Sequence, residues 1–387
     1  MTHVAELLHL FAVAAPGLEP LVHDELRALR IAARPEPGGV AWEGTAEQLM
    51  EANLRLRTAS RVLVRVAEFP AQAFYELERQ ARRVCWEDYV APGATVRLRV
   101  TARSSRLYHQ RAVAERVLEA VERRVGGLGA GSGAAEAEDE GAGAQLFVVR
   151  LFHNRCTISA DGSGELLHRR GYREAMAKAP LRETLAAAML LGSGWRPHVP
   201  LLDPLCGSGT IAIEAALLAR QIAPGLAHPD GLRRYAFERW PGFDAGLWGE
   251  VVARARAEVR SAAPAPIRAS DRDAGAVRAA HANALRAGVA GDVALDVRAL
   301  SAVEPPTHPG WLLANPPYGQ RVGAVEALRD LYAALGHLAR RRLGGWWLAL
   351  LSADRRLEGQ VGVRFQEALR TTNGGIPVRL VVGRVGE

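Results

Sequence analysis

Asn315, Pro316, Pro317 and Tyr318 place an amide, a carbonyl aimed by the next proline, and an aromatic ring on four consecutive positions. Proline has no N–H to give a ladder, so the apolar run 310–314 reads as a strand that ends here. Such a turn suits an exocyclic amine on a nucleobase. That nitrogen is a poor nucleophile because its lone pair is conjugated with the ring. The Asn315 side-chain oxygen and the Pro316 carbonyl can accept its hydrogens and reshape it toward tetrahedral, while Tyr318 offers a face for a purine. The gain is placement plus charge stabilisation, with no covalent intermediate. Taken alone, Pro-Pro-Tyr-Gly is equally an ordinary turn.

A second candidate stands upstream, where Asp203-Pro204-Leu205-Cys206 runs into Gly207-Ser208-Gly209-Thr210. Gly207 and Gly209, with Ser208 between them, let a backbone approach a ligand at the N-terminus of the following helix. The segment formally fits G-x-G-x-x-A, a weak signal for a dinucleotide. A dinucleotide site wants an acid about twenty residues on, at the end of the second strand. Asp230 has the distance but follows no strand; the acid at a strand end is Asp271. Asp203 sits before the glycines, poorly placed for a pyrophosphate and well placed for an amino group. A ligand with an amine at one end and a ribose at the other is S-adenosylmethionine, with Asp203 toward the amine and Asp271 toward the ribose hydroxyls. Asp271 also reads as a helix N-cap, a role Asp273 can fill instead. The pattern G-x-x-x-x-G-K-[ST] is absent, which excludes a P-loop. Methyl transfer to a ring carbon would need a cysteine at the acceptor turn; Cys206 lies in the glycine loop and reads as packing.

The elements around these turns follow from periodicity. Residues 18–29 carry Leu18, Leu21, Val22, Leu26 and Leu29 on one helical face. A strand alternates Val96, Leu98 and Val100, and a helix repeats Val113, Val117, Val121 and Val125. Strands and helices alternate, giving an α/β module. From residue 181 onward, apolar strands separated by helices predict a doubly wound parallel sheet closed by an antiparallel hairpin over 363–385. Both turns fall at carboxyl ends of strands, where such sheets bind ligands. The Gly/Ala-rich stretch 126–145 with its acidic run predicts a flexible surface loop.

The chain has 387 residues and 49% apolar content, enough for two or three cores. It has no apolar run of membrane-spanning length, so no membrane association is expected. Its mildly apolar start reads as a first strand in preference to a signal peptide. Cys85, Cys156 and Cys206 show neither metal nor redox spacing, fitting a reducing cytoplasm and no metal. The net charge is +7, and the excess lies from residue 156 onward. It favours a nucleic-acid partner only weakly, because Lys178 is the single lysine and codon bias explains arginine excess as well. Arg103, Arg106 and Arg111 surround Tyr108 and could grip phosphates or simply be solvated. Arg169, Arg170 and Arg173 of the connector 161–180 could line an RNA path or bridge a domain interface. Phe237, Trp240 and Phe243 could wall a base pocket or pack a core.

With these motifs placed, the chain resembles the THUMP-domain RNA methyltransferases that modify guanine N2, and is similar to those acting on bacterial large-subunit (23S) ribosomal RNA. The resemblance is carried by GLEPLVHDEL, HRRGYREAMAKAPLRETLAAAML, DPLCGSGTIAIEAALLA, YAFERWPGFD, NPPYGQRVG and NGGIPVRLVV. It implies a ferredoxin-like segment at 1–45, an RNA-binding THUMP domain at 46–160, the connector, and a class I Rossmann-like methyltransferase domain at 181–387. It implies that Asp203, Gly207, Gly209 and Asp271 hold S-adenosylmethionine and that Asn315, Pro316 and Tyr318 receive the guanine. Near the adenine the family carries an acid; here Asp296 or, at the expected offset, Arg298 stands there. The partner implied is RNA, as naked 23S rRNA or a 50S precursor, and the protein is expected to be a monomer. Two other readings stay open: the same chemistry on a transfer RNA, and a catalytically silent RNA-binding assembly factor. The acceptor turn is shared with N6-adenine methyltransferases, so the choice of guanine rests on the resemblance.

Overall fold

A computed structural model describes residues 7–135, 143–173, 181–306, 308–318 and 325–386. The acidic run 136–140, Lys178 with the second half of the connector, and Gly319 at the end of the acceptor turn lie outside the described residues.

The first half is a single eight-stranded sheet. Its strands are β1 (Leu8–Ala14), β2 (Arg34–Glu36), β3 (Gly39–Gly44), β4 (Ala59–Pro70), β5 (Val96–Arg103), β6 (Gly133–Ala134), β7 (Gln145–Phe152) and β8 (Arg155–Asp161), in the order β2-β3-β1-β4-β8-β7-β5-β6. Helices α1 (Glu19–Ala28), α2 (Ala46–Arg55), α3 (Phe74–Ala81) and α4 (Gln110–Val125) cover it. The long strand β4 is the seam, pairing antiparallel with β1 on one side and β8 on the other. The ferredoxin-like segment and the residues after it therefore share one sheet without a break. Val96, Leu98 and Val100 of β5 meet the valine stripe of α4 in one core, as the two periodicities require. The stretch expected to be a loose loop is ordered over 126–135. Gly133 and Ala134 pair with Arg97 and Leu98, and Val96 N–H donates to Ser132 Oγ (3.0 Å). An open strand edge with unpaired backbone groups is what these residues cover.

The second half begins with α5 (Glu183–Ser193) and continues as β9 (Leu201–Asp203), α6 (Thr210–Ala219), α7 (Ala245–Ala257), β10 (Ile267–Asp271), α8 (Ala274–Arg286), β11 (Val293–Val297), β12 (Trp311–Ala314), α9 (Val325–Arg342), β13 (Trp347–Ser352), α10 (Arg355–Val361), β14 (Gln366–Asn373) and β15 (Ile376–Arg384). The sheet order is β11-β10-β9-β12-β13-β15-β14. The first five strands are parallel and the last two antiparallel. The chain steps outward from β9 to β11 and then returns to the other side of β9 with β12. That reversal is the topological switch point, and the crevice beyond it is where such sheets bind ligands. Apolar cores fill both faces: α5 and α6 with Leu201, Leu313 and Leu351 on one, α9 and α10 with Leu312, Leu348 and Leu350 on the other. Among the described residues no helix is long and apolar enough to cross a membrane.

Between α6 and β10 the chain leaves this sheet and packs beneath the other one. Phe237 stacks on Tyr235 (5.3 Å) and meets Trp248 of α7 edge-on (5.2 Å). Trp240 packs on Tyr89 (5.0 Å) and donates its indole N–H to Gln145 Oε1 (2.8 Å). Phe243 joins the same group. All three are core of the first half, and the base-pocket alternative is set aside. Helix α7, with no heptad stripe strong enough to betray it, docks on α2, and Arg55 pairs with Glu258 (2.6 Å).

The connector corrects a second expectation. Arg170 is 1% exposed and cannot meet RNA. Its guanidinium faces Glu214 of α6 (3.4 Å) and donates to the Arg57 carbonyl (2.7 Å), while Tyr172 Oη donates to Glu214 Oε1 (3.1 Å). Arg173 is half-buried, donates to Thr210 Oγ1 (2.7 Å) and the Leu181 carbonyl (2.8 Å), and pairs with Glu183 (3.3 Å). Arg170 ties the two halves together and Arg173 fastens the connector to the second, each charge paired as burial requires. Arg169 is exposed. Removing Glu214 strands the Arg170 charge, so Glu214→Ala should lose about 3–5 kcal/mol. Pairing Glu214→Leu with Arg170→Met should recover most of it. Chemical denaturation of the three proteins checks this.

Candidate active site

Strand β9 ends at Asp203 and its parallel neighbour β12 ends at Ala314, immediately before Asn315. Leu201 faces Trp311 and Leu202 faces Leu312, so both turns leave the same edge side by side. On the other flank, Ala269 of β10 faces Asp203, and Asp271 lies two residues further along the same edge.

Asp203 is 1% exposed, and among the described residues its carboxylate accepts one hydrogen bond, from Leu205 N–H (3.3 Å). Burial, with a smaller push from the nearby Asp271 charge, raises its pKa to about 8. A carboxylate this dry with one weak donor lacks the partner that would hold it ionised. The glycine loop beside it is built for close approach. Gly207 and Gly209 have φ of +51° and +82°, where a side chain is strained. Gly207 faces open space, whereas a Cβ on Gly209 would strike Ala280 of α8 at 2.9 Å. One glycine thus leaves room for a ligand and the other lets two helices close. Asn283 donates to the Ser208 carbonyl (3.0 Å) and fixes the loop from behind.

Asp271 does more than its expected role demands. Its Oδ2 accepts Gly207 N–H (3.0 Å) and its Oδ1 accepts Asp273 N–H (3.0 Å). It therefore fastens the glycine loop to the end of β10, a link invisible in the sequence because 64 residues separate the partners. Asp273 caps α8 through Gly275 N–H (2.7 Å), as expected. Arg298 donates its backbone N–H to the Asp271 carbonyl (2.9 Å), and its guanidinium lies between Asp296 (3.5 Å) and Glu304 (3.4 Å). Cys206 is buried and its thiol pKa is raised by burial, so it is held as a neutral packing group.

At the acceptor turn Asn315 is half-buried, Pro316 buried and Pro317 exposed. The side-chain oxygen of Asn315 is shielded from solvent and has no hydrogen-bond partner among the described residues. A buried amide oxygen left unmatched costs free energy on the order of 1–3 kcal/mol, so it marks a place awaiting a donor. Tyr318 is half-buried against the core that carries the glycine loop, and its hydroxyl receives a hydrogen bond from Asn373 (2.6 Å). Burial raises its pKa, so the phenol stays protonated at neutral pH. The rim thus holds a carboxyl group short of a cation on one strand and an acceptor short of a donor on the next. That pairing fits a cofactor amine at Asp203 and a substrate amine at Asn315. On the other sheet, Arg103, Arg106, Tyr108 and Arg111 are exposed at the end of β5 and the start of α4.

Residues 170–381 match the family described as RMKL-like, methyltransferase domain, and residues 9–63 match the RlmL ferredoxin-like domain. A Synechocystis protein assigned as an RNA methyltransferase is 35% identical over 96% of this chain and 95% of its own length. The ribosomal RNA large subunit methyltransferase K/L of Syntrophotalea carbinolica is 37% identical over 96% of this chain, which spans 53% of that protein. The crystal structure of SMU.472, assigned as a methyltransferase and complexed with S-adenosylhomocysteine, superposes with a TM-score of 0.86 at 29% identity and covers 99% of both chains. The chain belongs to the RMKL-like methyltransferase family and carries an RlmL ferredoxin-like domain ahead of its catalytic sheet.

Proposed function

We propose that this protein transfers a methyl group from S-adenosylmethionine to the exocyclic N2 of a guanosine in 23S ribosomal RNA. The observation that carries the reading is the unmatched Asn315 oxygen, on the residue that follows β12 at the same strand edge as the under-bonded Asp203 carboxylate. The K/L relatives named for large-subunit ribosomal RNA support the substrate, although this chain spans about half their length. Bound beside the glycine loop, S-adenosylmethionine supplies an electrophilic methyl group on a sulfonium. Asp203 holds the methionine amine; Asp271 faces the ribose; Gly207, Ser208 and Gly209 line the approach, and Arg298 stands near the adenine. Asn315 and the Pro316 carbonyl accept the hydrogens of the base amine, Pro317 stiffens that carbonyl, and Tyr318 stacks on the guanine. The amine nitrogen forms its new N–C bond as the S–C bond breaks, and the surplus proton leaves to water. A paired N2 is blocked, so the base must be unpaired or turned out of its helix. Residues 46–160, with exposed Arg103, Arg106 and Tyr108, and the exposed Arg169 of the connector 161–180, grip RNA phosphates. The protein works as a monomer in the cytoplasm.

Two measurements test this. With labelled cofactor and ribosomal RNA, Asn315→Ala should lower kcat by roughly 10²–10³-fold while leaving cofactor affinity unchanged. Equal incorporation by the variant would remove Asn315 from the reaction, and label recovered only in transfer RNA would move the substrate there. The second concerns pH. Because folding raises the Asp203 pKa to about 8, the folded chain keeps a proton that the unfolded chain releases. Stability of the free protein therefore falls as pH rises from the ordinary carboxylate range through about 8. Asp203→Asn removes that loss, so the free variant should exceed wild type at pH 8 by on the order of a few kcal/mol and match it near pH 4. It should also bind S-adenosylmethionine more weakly; thermal melting across pH and calorimetric titration read the two effects.

A further inference from the structure

The NGG segment near the C-terminal end, Asn373-Gly374-Gly375, has no part in the reading above. It is the tip of the β14–β15 hairpin. Asn373 pairs with Ile376 across the two glycines, whose φ values are +56° and +83°. Two left-handed residues in a two-residue loop make a tight type I′ turn, which matches strand twist and holds its flanks rigidly. A Cβ on either glycine would meet nothing within 4 Å, so backbone conformation alone calls for glycine there.

Where this tip sits follows from strand direction. β15 runs antiparallel to β13, and its Arg379 faces Ser352 at the carboxyl end of β13. The residues before Arg379 therefore project past the edge at which β9 and β12 end. From Arg379 back to Ile376 the overhang is about 10 Å. There the Asn373 Nδ2 donates to Tyr318 Oη at 2.6 Å. Residues 319–324 beyond Tyr318 are not described, and among the described residues this is the side-chain hydrogen bond on the tyrosine hydroxyl.

We propose that Asn373 is a positioning residue for the acceptor site: by holding the Tyr318 hydroxyl it fixes where the ring on which the target base stacks is placed. The inference rests on the reading that Tyr318 receives the base. A phenol held at its Cβ by a proline-stiffened turn and at its oxygen by a rigid hairpin keeps its long axis in one place. Without the second hold the ring turns about χ1, and the base loses alignment with the Asn315 and Pro316 acceptors. Misplacement of a reacting group is felt as rate.

The test is a double-mutant cycle on RNA methylation. Asn373→Ala and Tyr318→Phe approach the link from opposite ends, and the second keeps both ring and hairpin. Each should lower kcat/KM for RNA about fivefold to tenfold. The combined variant should be no worse than either alone, and cofactor affinity should stay at the wild-type value in all three. Asn373→Asp, whose carboxylate can accept from the phenol, should recover part of the loss. The proposal is overturned if Asn373→Ala keeps wild-type kcat/KM, if the two losses multiply, or if cofactor affinity falls in parallel. A wild-type protein inactive on every RNA would overturn the methyltransfer reading, and this one with it; an active wild type with an indifferent Asn373 overturns the link alone.

Discussion

At the ends of β9 and β12 the Asp203 carboxylate and the Asn315 amide oxygen lie buried with fewer hydrogen bonds than burial demands. A core optimised for stability alone would not hold them, because unmatched polar atoms cost free energy in a low-dielectric interior. They bear that cost because each stands at the end of a strand held between two parallel neighbours and flanked by packed apolar residues. The arrangement is sound only if something else completes it, a cation on one side and an N–H donor on the other. Everything else at the rim serves that pairing. The glycine loop leaves the space, Asp271 pins the loop, and the two prolines keep the acceptor turn from collapsing to satisfy itself.

The halves of the molecule are joined by features that make this rim rigid. β4 runs through the first sheet without a break, and α7 from the second half lies under it. Arg170 and Tyr172 reach from the connector to Glu214 on α6, the helix that starts from the glycine loop. Arg173 reaches Thr210, the first residue of that helix. Arg286 on α8 holds both the Tyr172 carbonyl (2.7 Å) and Asn283 (2.6 Å), which in turn holds Ser208. Whatever the first sheet binds is therefore held in fixed register with the strand edge. Such buried charges seldom add net stability over apolar replacements, and their value lies in allowing one arrangement of the halves.

Several elements were legible because their reasons are local. The valine stripe of α4 and the alternation in β5 are periodicities, and both strand and helix formed where they pointed. The Asp273 cap, the glycine loop and the Asn-Pro-Pro-Tyr turn are each set by backbone rules that act over four or five residues. The doubly wound parallel sheet with its closing hairpin then followed from the alternation of strands and helices, and the structure supplied the strand order. Less was legible where the deciding partner is remote. The arginines 170 and 173 had two readings, an RNA path or a domain interface; their partners, Glu214 and Glu183, decided for the second and could not be paired with them from spacing. The aromatics at 237, 240 and 243 had two readings, and Tyr235, Trp248, Tyr89 and Gln145 decided between them.

The sequence by itself thus determined the chemistry on offer: which residues can accept, stack, pair or turn, and which strand ends carry them. It did so because propensity, proline stiffness and glycine freedom act on near neighbours. Only the tertiary structure decided what each group does with its capacity. It made Asp203 dry, left the Asn315 oxygen unmatched, gave Asp271 the loop to hold, and brought Asn373 onto Tyr318 across 55 residues. Those outcomes depend on desolvation and on contacts between distant segments, and neither quantity exists until the chain has closed on itself.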